Sequence, residues 1–263
     1  MSDSQAVPAV ILAGGKAKPE LQAVTGQTNR ALVVVQGKTL LRHVMEALRT
    51  ASPVGPITVV GDVPDSADYA RLPDGGGFVE NLFAGVGAHA DAPFVLVSSS
   101  DLPFLTGEAV TDFVDGAAAR AQREPDLGFV YPIIPVAACY ARFPGVRRTS
   151  LRLREGVFTG GNLMLVRPKF ALAQRQTVAA AYAARKSPLR LAWMIGLGTL
   201  GRLILSQKLA PGLLTLPLLE ARVSRLLGCP ARALICNHPE IATDLDRPAD
   251  FAAVGLQQGA SLP

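Results

Sequence analysis

What the chain lacks narrows its class first. It carries three cysteines, Cys139, Cys229 and Cys236. No two of them form a CxxC pair and no histidine cluster lies beside them. Neither a zinc site nor a disulfide framework is therefore expected, and the reading is a reducing, cytoplasmic compartment. No apolar run reaches the roughly 20 residues that a spanning helix needs. The nearest, Leu191 to Leu205, is broken by Arg202 and three glycines. Met1 to Val7 carries Asp3 and no basic stretch, so a secretory leader is not expected there. Charge of one sign is not in large excess: 26 basic against 21 acidic residues give +5. That balance suits an enzyme that handles phosphates, weak non-specific contact with nucleic acid or anionic lipid, and equally a solvated basic surface; no nucleic acid partner is expected. Repeats and low-complexity segments are absent. What is present, 49% hydrophobic and 18% charged residues over 263 positions, excludes a disordered chain and suits one domain over 1–263.

The patterning predicts an α/β fold. Val7 to Leu12 reads as a buried strand feeding a glycine turn, and Thr39 to Leu48 as an amphipathic helix. Ile57 to Val60 and Phe94 to Val97 read as further strands, Asn81 to Ala90 as a helix, and Thr106 to Ala121 as a helix capped by Thr106. Leu127 to Tyr140 shows three strand-type stretches. Val157 to Val166 reads as strand, glycine turn and strand. Ala233 to Cys236 reads as a last strand, with a short helix from Pro248. Such alternation predicts a mainly parallel, twisted sheet with helices on both faces, in which ligands bind beyond the carboxyl ends of the strands.

Four constellations could carry chemistry, and two of them, Gly14-Gly15 and Asp101, fall at such strand ends. Leu12-Ala13-Gly14-Gly15 follows the first strand, with Lys16, Lys18 and Arg30 near it; paired glycines allow close backbone approach and N–H groups aimed at an anion. Ser100-Asp101-Leu102-Pro103 puts a carboxylate at a strand tip, suited to a hard cation or to capping a turn. Asp244 and Asp246 alternate in an extended segment and so face one way, while Asp246 before Arg247-Pro248 also resembles a helix start. Thr159-Gly160-Gly161-Asn162, with Arg147 and Arg148, could hold a polar, phosphorylated acceptor, or be a hairpin turn beside a basic loop.

The order of Ile11-Leu12-Ala13-Gly14-Gly15, Asn29-Arg30-Ala31-Leu32, Ser100-Asp101-Leu102-Pro103, Thr159-Gly160-Gly161-Asn162 and Asp244-Leu245-Asp246-Arg247-Pro248 resembles the MobA-like nucleoside-triphosphate transferases. The resemblance implies a nucleotidyltransferase sheet of the glycosyltransferase-A, Rossmann-related type. It implies nucleotide binding by Leu12, Ala13, Gly14, Gly15, Asn81 and Ser100, and catalytic roles for Lys16, Arg30 and Asp101. Mg²⁺ would be held by Asp101, Asp244 and Asp246, and the acceptor by Arg147, Arg148, Thr159, Gly160, Gly161 and Asn162. The implied partners are an NTP, CTP or GTP, and a phosphorylated small molecule. Two departures stand out: the loop after the glycines is longer, with Pro19 and Glu20, and Arg30 stands where the relatives carry a lysine. A catalytically inactive nucleotide-binding protein of the same fold is the alternative.

Residues 188–228 form an apolar, basic, helix-like insertion. Within it Gly196-Leu197-Gly198-Thr199-Leu200-Gly201 matches the GxGxxG of dinucleotide sites, but without the flanking βα units; a dinucleotide-dependent oxidoreductase is the lesser reading. Segment 188–212 is expected to be a helix buried against the sheet or in a homodimer contact, or to make peripheral membrane contact.

Overall fold

A computed structural model describes residues 6–184 and 213–255. Its main sheet begins with β1 (Val7–Leu12), flanked on both edges by parallel partners: β4 (Val54–Val60) on one side and β6 (Val95–Ser99) on the other. A short β5 (Ala70–Leu72) extends the β4 edge, also in parallel. Burial on both faces follows from alternation along β1. Ala9 and Ile11 pack toward one face, against Val44 and Leu48 of α2 (Leu40–Thr50) and Val110 and Phe113 of α4 (Gly107–Arg123). Val10 and Leu12 pack toward the other, against Leu82 and Val86 of α3 (Phe78–Gly87). Fully burying a Leu or Phe contributes about 2 kcal/mol, so the helices on each face fix the register of the central strands. Thr39 caps α2 by accepting from the Arg42 N–H, and Thr106 caps α4 by accepting from the Ala109 N–H.

Two local readings change, and the longer loop after the glycines gains an element: it holds α1 (Pro19–Thr25), with Pro19 opening the helix. Seven residues are too few to print a helical period. The hairpin β2 (Val34–Val35) and β3 (Lys38–Thr39) follows it. Leu127 to Tyr140 is not three strands but β7 (Phe129–Pro135) followed by α5 (Val136–Arg142); Pro135 stands at the helix start, where its missing N–H costs nothing.

The glycine pair near 160 is not a hairpin turn either. β9 (Gly156–Gly160) and β10 (Leu163–Val166) run along the same edge of β7, antiparallel to it, with the Gly161 N–H donating to the Pro132 carbonyl between them. Their other edge forks. β10 pairs with β6, while β9 pairs with β8 (Leu151–Leu153). On the far edge of β7 lies β11 (Ala231–Ile235), parallel to it and covered by α8 (Leu216–Leu227). The sheet is thus parallel through β5-β4-β1-β6 and antiparallel around β10. Two more helices, α6 (Pro168–Ala173) and α7 (Arg175–Ala184), lie beside α3, and α9 (Pro248–Ala253) closes the described chain. The helix-like reading of the 188–228 segment holds for α8; residues 188–212, with the GxGxxG match, lie outside the described residues.

Candidate active site

The C-terminal ends of β1 and β6 open on a cleft of about 560 Å³ lined by Leu12, Gly14, Gly15, Arg30, Asn81 and Asp101, with Asn162, Asp244 and Asp246 across from them. A Cβ at Gly14 would lie 2.3 Å from Asn81 Nδ2 and 2.5 Å from Asp74 Oδ1, so any larger residue would displace that pair. Asn81 is oriented by its neighbours, donating to Asp74 Oδ1 (2.7 Å) and accepting from the Gly75 N–H (2.7 Å). Asp74 was missed in the sequence, where Asp-Gly-Gly-Gly reads as a plain turn.

Arg30 reaches the same cleft despite the longer loop. The Arg30 N–H donates to the Gly15 carbonyl (2.9 Å) and the Ala17 N–H to that of Thr28 (2.9 Å), so α1 is a closed excursion and the chain returns beside the glycines. Asn29 secures the return, donating to the carbonyls of Ala13 (2.9 Å) and Asp62 (2.8 Å). The Arg30 guanidinium then bridges Asp101 Oδ2 (3.1 Å) and Asp246 Oδ1. Lys18, at the start of α1, pairs with the other Asp246 oxygen at 2.8 Å. Lys16 is exposed and does not line the cleft.

Asp101, Asp244 and Asp246 offer carboxylate oxygens that lie within 4.8 Å of one another. Three backbone links hold them so. The Leu245 N–H donates to the Asp101 carbonyl (3.2 Å), the Asn162 N–H to that of Ile241 (2.8 Å), and the Ser99 N–H to that of Asn162 (3.1 Å). Between the two acids, Leu245 points the opposite way into a small core with Leu21 and Phe251, which is why Asp244 and Asp246 face one space. Asp246 does not cap α9; Arg247 holds that position, and Asp250 Oδ2 accepts from the Asp246 (3.1 Å) and Arg247 (2.8 Å) N–H groups. Asp101 caps no turn either: its Oδ1 is buried without a hydrogen-bond partner. Burial, and next the Asp101 charge, push the Asp244 carboxyl above the ordinary range.

The cleft also has an apolar wall that single positions did not announce: Phe78, Tyr131, Met164 and Tyr182, with Phe78 and Tyr182 stacked at 4.6 Å between centroids. Ser98 and Ser99 line it, while Ser100 and Ala13 are buried outside its lining. Next to it lies a second pocket of about 510 Å³, where Arg147, Arg148, Thr159, Gly160, Gly161 and Asn162 meet as a group. Tyr131, Gly161, Asn162 and Asp244 belong to both walls. Arg148 is anchored on the Ala242 carbonyl and Thr243 Oγ1, whereas Arg147 is exposed. The five residue groups therefore converge on two adjoining pockets, with Asp101 and Asp246 in the first and Asp244 on both.

Known proteins share this fold. Comparison with curated proteins gives no match. Among solved structures, a hypothetical transferase from Thermus thermophilus is 38% identical, with a TM-score of 0.81 over 94% of this chain and 99% of its own. A 2-C-methyl-D-erythritol 4-phosphate cytidylyltransferase, also from Thermus thermophilus, is 20% identical, with a TM-score of 0.53 over 95% and 98% of the two chains. A CMP:2-keto-3-deoxy-manno-octonic acid synthetase complexed with CTP is 14% identical, with a TM-score of 0.54 over 95% and 96%. The last two share the fold. Residues 9–152 match the MobA-like NTP transferase domain. Together with the whole-length likeness at 38% identity, this match means that the chain belongs to the MobA-like NTP transferase family.

Proposed function

We propose that the protein transfers a nucleotidyl group from CTP or GTP to a phosphorylated small-molecule acceptor and releases pyrophosphate, with Mg²⁺ as cofactor. The observation that carries this reading is the Asp101–Asp244–Asp246 cluster at the mouth of the glycine cleft, with one Asp101 oxygen buried and unpartnered. Two like charges at about 5 Å repel by roughly 3 kcal/mol at an effective dielectric near 20. Arg30 and Lys18 pair with Asp101 and Asp246, whereas Asp244, within reach of the Arg148 charge, makes no ion pair among the described residues. Oxygen donors so arranged suit a hard dication. Bound there, Mg²⁺ would neutralise phosphate charge.

The chain's own residues do the rest. The Gly14–Gly15 backbone would admit the nucleotide closely, and Arg30 and Lys18, now paired with Asp101 and Asp246, would exchange those carboxylates for phosphate oxygens. Arg147 and Arg148 would orient the acceptor's phosphate toward the shared wall. An acceptor oxygen bonds to the α-phosphorus as the bond from that phosphorus to the α–β bridging oxygen breaks, and pyrophosphate leaves with the electron pair. Positioning and charge neutralisation suffice for such a displacement. CTP is supported by the fold neighbour complexed with CTP.

A second reading, nucleotide binding without turnover, is favoured by one observation: Arg30 engages both Asp101 and Asp246. Thermal-shift screening of CTP, GTP, UTP and ATP with Mg²⁺, followed by pyrophosphate assays over a panel of phosphorylated acceptors, separates the two. A ligand at 100 times its Kd adds about 2.7 kcal/mol to stability. Stabilisation with pyrophosphate release supports transfer. Stabilisation with none for any acceptor supports the second reading, and no stabilisation by any nucleotide contradicts both.

A further inference from the structure

The pocket holding Arg147 and Arg148 does not end at its polar floor. Leu151, Phe158, Thr159, Gly160 and Tyr131 also form one wall of an apolar cavity of about 260 Å³. Ile133 and Ala233 of the sheet close its far side, with Leu216, Leu219 and Val223 of α8 over it. The helix is amphipathic, yet none of its residues is fully buried. Leu216, Leu218 and Leu219 pack against Leu153, Phe158 and Leu214 at the end of the sheet, yet the apolar face leaves a cavity beneath it. A helix with this many leucines normally buries them.

We infer that the acceptor is a phosphomonoester with an aliphatic portion, its phosphate held by Arg147 and Arg148 and its chain lying in the cavity under α8. This rests on the transferase reading above. Three features carry it: the two pockets share five residues, the cavity is almost wholly apolar although Glu220 and Arg232 border it while the other pocket is mixed and carries two arginines, and that second pocket shares Asp244 with the carboxylate cluster. Small-molecule sites are typically mostly apolar with a few convergent polar groups. A purely polar acceptor would use the cationic pocket alone and leave the cavity unfilled.

The test uses the full chain and a homologous series of n-alkyl phosphates, methyl to octyl, below their micelle concentrations, titrated calorimetrically in the presence of the nucleotide that stabilises the protein most. Burying a methylene stabilises by about 0.8 kcal/mol, so affinity is expected to rise about fourfold per added methylene until the cavity is full. Arg147→Ala is expected to weaken every member by a similar factor. Leu219→Trp, which fills the cavity from the α8 side, is expected to flatten the series while leaving methyl phosphate unchanged. Val223→Phe repeats that test should Leu219→Trp fail to fold. A flat series in the parent protein, whether because the cavity is taken by the chain's own 188–212 segment, by a second copy or by nothing, overturns the inference. In that case nucleotide stabilisation and pyrophosphate release with a polar phosphate would still support transfer; absence of nucleotide stabilisation would overturn both.

Discussion

At the residue scale the site is a balance of charges, and each member has its own expected signature. The cation that meets Asp246 is Lys18, not the exposed Lys16. Lys18→Ala is expected to lower kcat/KM about tenfold or more, the loss of a charge-assisted contact of about 1.5–3 kcal/mol, and Lys16→Ala to leave it nearly unchanged. Equal effects in steady-state assays would contradict this placement. Asp244 gives a pH signature. A carboxyl whose folded pKa lies above its unfolded value holds its proton more tightly when folded. Stability therefore falls as pH rises from the ordinary 3.8 through the raised value, and the loss persists above it. Asp244→Asn removes the loss: without ligand the variant is expected to melt higher than the parent at neutral pH and to match it below pH 3.8. Equal melting curves at neutral pH would mean that the Asp244 charge costs the fold nothing.

At the scale of elements, the fork between β9 and β10 brings the two pockets together. Gly161 sits there under Ile241, Pro132 and Ile134, and a Cβ would come within 2.7, 2.9 and 3.1 Å of their side chains. Gly161→Ala is expected to destabilise by about 1–3 kcal/mol through overpacking, read as a lower denaturation midpoint at unchanged slope, and to weaken nucleotide and acceptor binding together, because Gly161 borders both pockets. Gly160→Ala would push on the Tyr131 hydroxyl instead, 2.5 Å from the added Cβ; Tyr131 donates to the Gly161 carbonyl at 2.6 Å. A variant at Gly161 that keeps parental stability would show that the bulge tolerates a side chain and does not fix the fork.

At the scale of the whole molecule, the elements with strong patterning were legible in the sequence: β1 and β6 fall close to their apolar runs, α2 close to its helical spacing, and α4 after the Thr106 cap. The carboxylates were legible as strand-end and alternating acids. Their convergence was not, because it depends on Leu245 bonding to the Asp101 backbone across more than a hundred residues. The edge of β7 was hidden for a similar reason: a glycine pair looks the same in a hairpin as in a bulge, and only non-local pairing tells them apart. Short elements such as α1 print no period at all. Among the described residues no helix is long and apolar enough to cross a membrane. The most direct test of Mg²⁺-dependent nucleotidyl transfer is pyrophosphate release from CTP or GTP with a phosphorylated acceptor, measured for the parent and for Asp101→Asn with and without Mg²⁺. Transfer through this site requires metal-dependent release in the parent that drops about a hundredfold or more in a folded Asp101→Asn protein; release that survives the substitution, or that ignores Mg²⁺, would contradict it.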